Sequence, residues 1–288
     1  MALTADEILG HPALEPCVRG QARSLLMIHD ASPRLASLFG TRQRWLMAHG
    51  ALSQYFRNVA AAGTDAGTLA GHLLDLVVRY EVASPNTAAA FLKELEKYGI
   101  VRHVAGSEGK RNRPLEPTPV TLMALFQWHI VHLTTLDGLD GGARCAAFRA
   151  EPDMLGRIQP LIADGLLSSN VVRKPDPTFT LFAWVDEGGI VMDRLIVGCE
   201  EGAADLDRIT TDMTSVTGLA QRLKLSRTQL SRKLATAEAM GSLGWVGARG
   251  KSRIWVSQGF RHEYHKAQAV KLAIIDAAYE ACFNTPSS

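Results

Sequence analysis

A chain of 288 residues, 47% of them hydrophobic and 21% charged, is long enough to bury one large core or two ordinary ones. It has no apolar run of about 18 residues and no secretory pattern at its start, so neither a membrane span nor export is expected. Its four cysteines form no CxxC pair, which favours a reduced, cytoplasmic protein. The net charge of +2 excludes no class of partner, so the distribution of charge along the chain matters more.

The first half of the chain predicts several helices followed by two short strands around a basic turn. In the stretch PNTAAAFLKELEKY, Ala88, Leu92 and Leu95 are expected on the inward face of one helix. The expected elements are helices at about 14–29, 33–61, 66–80 and 85–98, strands at 100–104 and 115–118 with a turn at 105–113 between them, and a long apolar helix at 119–136.

A glycine-rich segment separates the two halves. Residues 137–142 read DGLDGG, the pattern most typical of a linker in this chain. We therefore expect a first domain at 1–138 and a second at 139–288. In the second domain the first expected helices lie near 143–167, 177–200 and 203–212, and the final helix runs from about 258 to 283.

The stretch Val216–Leu234, VTGLAQRLKLSRTQLSRKL, carries the strongest pattern. Ser215 and Ser226 each stand where the N-cap of a short helix is expected. Two crossed helices that bury one shared face form a helix-turn-helix, whose second helix is short enough to enter a DNA major groove. The apolar residues available for that face are Leu219, Ala220, Leu223, Leu225, Leu230 and Leu234.

A hairpin is expected after this pair of helices. Met240-Gly241 ends the second helix, and residues 243–247 and 254–256 read as strands around the basic tip ARGKSR. A helix-turn-helix followed by such a hairpin is a winged helix, so winged helices are predicted at about 62–118 and 203–256. The predicted fold class is mainly α with small β-wings, as two tandem winged helix-turn-helix units.

Six short matches recur in the same order in the two halves, which predicts two repeats of about 140 residues. A single match is weak, but six in order indicate an internal duplication. They are Glu15-Pro16 with Gly20 and Glu151-Pro152 with Gly156, Ser32-Pro33 and Asp176-Pro177, Leu38-Phe39 and Leu181-Phe182, Ser84 and Ser226, Gly99 and Gly241, and Gly109-Lys110 and Gly250-Lys251.

The order of helix, helix-turn-helix, basic wing and long C-terminal helix resembles the MarR family of bacterial transcription regulators. The second repeat is the closer match, in SVTGLAQRLKLSRTQLSRKL and ARGKSRIWV, and the first is similar in FLKELEKYGIVRHV. The resemblance implies that the two units are joined by a helical pseudodimer interface in a monomeric single-chain pseudodimer, with further dimerisation and a small-molecule effector left open. The chain departs from the family in two places: neither wing has an Asp ahead of its Arg, and the first helix-turn-helix needs one inserted residue near Ala83.

Double-stranded DNA is the predicted partner, because residues 222–233 carry five basic side chains and no acid. Arg227 and Arg232 suit guanine edges, and Gln229 suits adenine. The other recognition-helix candidates are Asn86, Thr87, Lys93, Ser226, Thr228 and Ser231. The wing candidates, expected at the DNA backbone or minor groove, are Lys110, Arg111, Arg113, Arg249, Lys251 and Arg253.

The two recognition faces differ chemically, so we expect an asymmetric operator with two half-sites about one helical turn apart. The second half-site should be the more strongly specified. Repression by occupying a promoter is the default mechanism by family analogy, in a cytoplasmic, nucleoid-associated protein. Two alternatives stay open: a tandem winged-helix module for protein contact, as in chromosome-condensation complexes, and a plasmid replication initiator.

Several other side chains are weighed and assigned no site. Four histidines at spacings of three could bind a metal, but isolated histidines are commoner, so no metal and no cofactor is predicted. No phosphate loop, HExxH or GxSxG motif is present, which predicts a protein that is not an enzyme. The histidines are His129, His132, His262 and His265; a redox role was considered for Cys17 and Cys145, and an effector pocket for Trp45, Phe56, Trp128, Phe182 and Trp184.

Overall fold

The computed structural model describes residues 1–32, 36, 38–62, 67–108, 113–183, 188–200 and 206–283. Over these residues the chain is mostly helical, with one two-stranded and one three-stranded antiparallel sheet. The predicted class, mainly helical with small β-structure, is confirmed at this level. Within the same ranges, no helix is long and apolar enough to span a membrane.

The elements are numbered in chain order. The helices before the middle of the chain are α1 (Ala5–Leu9), α2 (Leu14–Ala31), α3 (Arg42–Ala62), α4 (Ala70–Arg79), α5 (Pro85–Lys97) and α6 (Pro119–Asp140). The later helices are α7 (Arg144–Ala150), α8 (Leu155–Ser168), α9 (Asn170–Arg173), α10 (Pro177–Ala183), α11 (Gly188–Gly198), α12 (Val216–Leu223), α13 (Arg227–Ala239) and α14 (Gln258–Phe283). The strands are β1 (Val101–His103), β2 (Leu115–Pro117), β3 (Arg208–Thr210), β4 (Leu243–Trp245) and β5 (Ile254–Ser257).

The chain forms two compact units, and each draws on separate stretches of sequence. Unit 1 contains Met1–Thr4, Gln43–Arg173 and Lys271–Ser288. Unit 2 contains Ala5–Arg42 and Lys174–Val270. Each unit therefore holds one pair of short helices with its hairpin, together with helices from the other half of the chain. The predicted domains at 1–138 and 139–288 describe repeats along the sequence, and they stay a prediction.

In unit 1, the pair α4 and α5 buries one shared apolar face. Each helix places apolar residues three or four positions apart, so that they fall on one side. Strands β1 and β2 then pair antiparallel, with Arg102 opposite Glu116. An isolated antiparallel β-bridge between Thr68 and Leu115 extends this small sheet. The buried residues of the helix pair are Leu73, Leu76, Val77, Ala88, Phe91 and Leu95.

A buried ion network in unit 1 joins α6, α7 and α14. Arg144, at the start of α7, donates from Nε to Asp276 at 2.7 Å and from Nη2 to Asp140 at 2.7 Å. Asp276 is fully buried, and its Oδ2 also accepts the backbone N–H of Leu3 at 2.8 Å. A carboxylate that accepts these bonds is compensated despite its burial, so the network ties α14 to α7 and to the start of the chain.

In unit 2, the sheet order is β3-β5-β4, with both pairings antiparallel. Ile254 and Val256 of β5 are buried, whereas Trp255 between them points to the other face. Trp255 lies opposite Gly244, where any side chain would collide with the indole ring. The Arg208 guanidinium lies over the same ring, 4.2 Å from its centroid.

The two units repeat the same local backbone bonds. The turns after α4 and α12 each contain a residue in the left-handed region, Glu81 and Lys224, with φ of 53° and 57°. Each turn is then closed by a backbone bond of about the same length, 2.9 Å from Val82 N to the Val77 carbonyl and 2.8 Å from Leu225 N to the Ala220 carbonyl. The first turn has one more residue than the second before its N-cap serine. This residue is Ala83, where the alignment of the two repeats predicts an insertion.

Three expectations about elements are wrong. The helix expected at 203–212 is not formed, because Arg208–Thr210 is strand β3, paired with β5. The expected linker is helical as far as Asp140, and α6 ends only at Gly141, which has a φ of 75°. The helix expected at 143–167 is divided, because Pro152–Met154 is a 3-10 turn between α7 and α8.

Other bounds are shorter than expected. The helix predicted at 33–61 is interrupted: residues 36 and 38 are helical, residues 39–41 are not, and α3 begins at Arg42. The helix predicted at 66–80 begins at Ala70. The segment predicted at 177–200 forms α10 and α11, and residues 184–187 between them, with Trp184, lie outside the described residues.

Candidate nucleic-acid interface

The best candidate site is the outward face of the helix pair α12 and α13 in unit 2. Ser215 caps α12 by accepting the Gly218 N–H at 2.9 Å, and Ser226 caps α13 by accepting the Gln229 N–H at 3.5 Å. Both serines satisfy N–H groups that a helix start leaves without a partner. Five of the six apolar residues predicted for the shared face are buried, and Leu225 is half-buried. This part of the prediction is confirmed.

The polar residues of this pair point to solvent. None of the four basic side chains below forms an ion pair with any other described residue. Four positive charges that no acid neutralises create a local positive potential, even though the whole chain is nearly neutral. The exposed set comprises Ser226, Arg227, Thr228, Gln229, Ser231 and Arg232 on α13, with Arg222 and Lys224 just before it.

One basic residue of the same run points inward. Lys233 is only 8% exposed, so it does not contribute to the outward face. The sequence interval 222–233 suggests five outward charges, but α13 turns one of them towards the interior of unit 2 because residues 230, 233 and 234 share its buried side.

The hairpin of unit 2 presents its cations differently from the sequence expectation. Arg249 pairs with Glu238 at 2.7 Å, and Arg253 pairs with Glu200 while its Nε donates to the Thr211 carbonyl at 3.0 Å. Lys251 is exposed at the tip, next to Gly250, whose φ is 74°. Two of the three wing cations of this unit thus have acidic partners far from them in sequence, and no local pattern could reveal these.

The helix pair of unit 1 has the same frame but a different surface. Ser84 caps α5 by accepting the Thr87 N–H at 3.2 Å, and its hydroxyl also lies 2.9 Å from the Thr87 hydroxyl. Asn86, Thr87 and Lys93 are exposed, as predicted, and so is Arg113 in the hairpin. The other two wing candidates of this unit, Lys110 and Arg111, lie outside the described residues.

The first pair lacks the excess of basic residues found in the second. Glu94 pairs with Arg44 at 2.7 Å, and Glu96 lies 3.0 Å from His103. Residues 70–97 contain three basic and four acidic side chains, whereas residues 216–239 contain five basic and one acidic. Because a DNA backbone attracts positive and repels negative surfaces, the second pair is the stronger candidate for a duplex contact.

A cluster of buried histidines in unit 1 was not predicted from the sequence. His49, His129 and His132 surround the ring of Trp128, with centroid distances of 4.9, 5.2 and 4.0 Å. Burial lowers the pKa of His49 to about 3 and that of His129 to about 4, and it holds the pKa of His132 well below its ordinary value. All three rings are therefore neutral at pH 7.

The side chains considered for metal, redox or effector roles have other surroundings. The described residues contain no group of three or more His, Cys, Asp or Glu side chains suited to a metal ion. Cys17 and Cys145 are free thiols. Trp45 contacts the rings of His49 and Trp128, and Phe182 packs edge-on against Phe260 at 5.8 Å, so these aromatic residues serve the interior of their own units.

Comparison with known proteins gives no further constraint. No protein-family model, no curated protein sequence and no solved structure matches this chain.

Proposed function

We propose that this chain is a sequence-specific, double-stranded DNA-binding transcription regulator with two winged helices in one pseudodimeric chain. Helix α13 is the principal recognition helix in this proposal, and α5 reads a second, weaker half-site. A small-molecule effector and further dimerisation are compatible with it. Occupation of a promoter, and hence repression, is its default mechanism, and the resemblance to the MarR family agrees with it.

One observation carries the proposal: the outward face of α12 and α13 has four exposed cations with no acidic partner among the described residues. The helix pair itself is rigidly framed, because both N-caps are satisfied and the shared apolar face is buried. Arg227 and Arg232 lie five residues apart on α13, so an inserted helix can present them to neighbouring base pairs.

The wing of unit 2 contributes in a second way. Lys251 is exposed at the tip and suits a phosphate contact. Arg249 and Arg253 can make such contacts only by exchanging Glu238 and Glu200 for DNA. Their contribution to affinity is therefore smaller than that of the unpaired arginines, since the lost ion pairs offset part of the gain.

The deciding experiment combines selection with mutation. Bound duplexes are selected from a random pool at about 150 mM salt, where non-specific phosphate binding is weak, and affinity for the enriched site is then measured by fluorescence anisotropy. The double variant Arg227→Ala with Arg232→Ala should bind at least about 30-fold more weakly, because each bidentate arginine contributes about 1–3 kcal/mol.

The matched control is Arg149→Ala with Lys174→Ala, which removes two exposed cations outside both helix pairs and both hairpins. It should weaken binding by less than about threefold, because neither side chain belongs to a proposed recognition helix or wing. Equal binding by wild type and the arginine double variant, with an unchanged circular dichroism spectrum, would refute the assignment of α13.

One surface of unit 1 favours the alternative of a protein-interaction module. Tyr98, Val120 and Met123 are exposed apolar residues near the end of α5 and the start of α6, a composition more typical of protein contact than of DNA contact. If a folded protein enriches no duplex, the protein-interaction module becomes the better description. If the enriched site recurs in tandem arrays at a plasmid origin, the replication-initiator alternative is favoured.

A further inference from the structure

The three buried histidines of unit 1 lie where three helices meet. His49 belongs to α3, and His129 and His132 belong to α6. All three residues are at most 4% exposed. The ring of His49 is also bonded to Gln159 of α8. The cluster therefore joins α3, α6 and α8, which all belong to unit 1.

Hydrogen bonds determine where the two neutral rings of α6 carry their proton. The Nδ1 atoms of His129 and His132 lie 2.8 and 2.7 Å from the carbonyls of Leu125 and Trp128. A carbonyl can only accept, so each Nδ1 carries the proton and each Nε2 is bare. Both Nε2 atoms are buried without a hydrogen-bond partner among the described residues. A second proton on either ring would therefore have no acceptor.

His49 is held in a different way. Its Nδ1 atom accepts the Gln159 Nε2–H at 3.0 Å, and the same amide nitrogen lies 3.4 Å from the His49 carbonyl, which orients the amide. Protonation of Nδ1 would place two donors face to face. The bond between α3 and α8 would then be lost.

The surroundings do not compensate a positive charge on any of the three rings. Burial is the main cause of their low pKa values, and His129 and Lys271 of α14 lower the pKa values of His49 and His132 further. No acidic side chain among the described residues favours protonation of the three rings. Because the rings pack around one indole, exposure of one removes part of the burial of the others, so their protons are taken up together.

Helix α3 connects this cluster to the first helix pair. Gln43 Nε2 donates to the Val82 carbonyl, in the turn between α4 and α5, at 2.8 Å. Arg44 pairs with Glu94 of α5 at 2.7 Å. His49 follows one to two turns later on the same helix. A movement of α3 at the cluster therefore changes the support of α5.

Unit 2 has an amide at the position of one of these histidines. The segments before α6 and α14 carry matching backbone bonds, from Thr118 N and from Ser257 N, which makes Gln268 the counterpart of His129. Gln268 accepts Gln21 Nε2 at 2.8 Å in the interior of unit 2. An amide does not titrate, so this position of unit 2 does not respond to acid.

We propose that His49, His129 and His132 form an acid-operated latch, which holds α3 against α6 and α8 at neutral pH and releases α3, and with it α5, as the pH falls. Below pH 6.5 the open form binds up to three more protons than the closed form, so a falling pH favours opening. Between pH 6 and 5 each histidine contributes a factor of about eight, and three contribute about 500. If α5 reads a half-site, which rests on the proposed function, acid releases that half-site and leaves α13 in place.

The test measures backbone hydrogen exchange of the full chain at pH 6 and 5, corrected for the intrinsic exchange rate at each pH. The opening constant of amides in α3 and α5 should rise about 500-fold, and that of amides in α13 by less than about tenfold. A rise of less than about tenfold in α5, or an equal rise in α13, would overturn the proposal. No DNA is present, so the outcome is independent of the proposed function.

Two variants each remove one proton from the latch: His129→Gln, which copies unit 2, and His132→Gln. Each should reduce the rise in α5 from about 500-fold to about 60-fold, with circular dichroism at pH 7 as the check of folding. His72→Gln, at an exposed position of α4, is the matched control and should keep the full rise. A full rise in both buried variants would overturn the proposal. If neither variant folds, the wild-type comparison of α5 with α13 decides.

Discussion

The helix pairs of the two units share a frame and differ in surface. Both have a serine N-cap, a left-handed residue in the turn and a glycine in the left-handed region after the second helix. Their charges are opposite in balance, three basic to four acidic residues in α4–α5 against five to one in α12–α13. Caps, turn glycines and buried apolar residues determine the backbone, so outward residues can change without loss of the fold.

The interiors of the units differ as well. Unit 1 encloses three neutral histidines around Trp128 and an ion network around Arg144. Unit 2 instead buries a hydrogen bond from the Tyr264 hydroxyl to Asp193 at 2.5 Å and one between Gln21 and Gln268 at 2.8 Å. Both units bury charged side chains, Arg19 and Arg194 among them in unit 2. The difference lies in the three histidines, which make the stability of unit 1 depend more on protonation.

The largest expected difference in stability between the two units comes from the ion network around Arg144. Asp276→Ala removes a fully buried partner of Arg144 and leaves the guanidinium with Asp137 and Asp140 alone. We expect a loss of about 3 kcal/mol in the unfolding free energy, because the change breaks a buried ion pair and leaves Arg144 Nε and the Leu3 N–H without their acceptor. Chemical denaturation gives the size of the loss, and hydrogen exchange locates it in α6, α7 and the end of α14.

The control for that variant is Arg249→Ala in unit 2, which breaks an exposed ion pair. Its unfolding free energy should stay within about 0.5 kcal/mol of wild type, since exposed pairs contribute little. A loss of the same size in both variants, or lost protection spread evenly over both units, would contradict the contrast between buried and surface charge.

At pH 5.5, a smaller effect is expected from a single buried histidine. The pKa of His129 in the folded chain, about 4, lies below the ordinary value of 6.5, so below pH 6.5 the unfolded chain binds a proton that the folded chain does not. Stability is therefore retained above pH 6.5 and is lost as the pH falls towards 4, by about 1.4 kcal/mol per pH unit for each such histidine. His129→Leu should reduce the slope of unfolding free energy against pH by about that amount.

The two units should respond to acid in unequal measure. Unit 1 contains three histidines of lowered pKa and unit 2 contains one, His265. Hydrogen exchange at pH 7 and 5.5 should show α6 losing more protection than α13. Greater loss in α13 would mean that the buried histidines do not control the acid response.

The smallest expected effect comes from the N-cap serines that the two helix pairs share. Ser84→Ala and Ser226→Ala each remove one N-cap, and each should cost about 1 kcal/mol, because both serines accept one backbone N–H at the start of a second helix. The measurement is the denaturation midpoint of each variant. A difference of more than about 1 kcal/mol between the two would break the equivalence of the turns.

The sequence predicted best what depends on near neighbours. The caps at Ser215 and Ser226, the buried leucines of α12 and α13 and the turn glycine Gly241 are all read within one or two helical turns. Each signal reinforces the others, so the pair was recognisable without any knowledge of the rest of the chain.

What the sequence failed to predict depends on distant partners. Strand β3 is three residues long and exists because Ile209 pairs with Val256, which no local propensity could indicate. The helix through Asp140 persists because Arg144 binds both Asp137 and Asp140, which removes their charges from the end of α6. The pairing of Arg253 with Glu200 is equally remote in sequence, so the expectation of free wing cations was too simple.

The discontinuous units impose an order on biosynthesis. A ribosome releases the chain from its start, yet unit 2 includes α2 as well as residues up to Val270, and unit 1 includes residues from Lys271 onwards. Neither unit can therefore be completed until α14 has left the exit tunnel, although the domains of many proteins form one after another during translation. Until then Gln21 of α2 lacks its buried partner Gln268 on α14, so part of the interior of unit 2 stays exposed in the nascent chain. Exposed interior surface of this kind makes a nascent chain a client for chaperones.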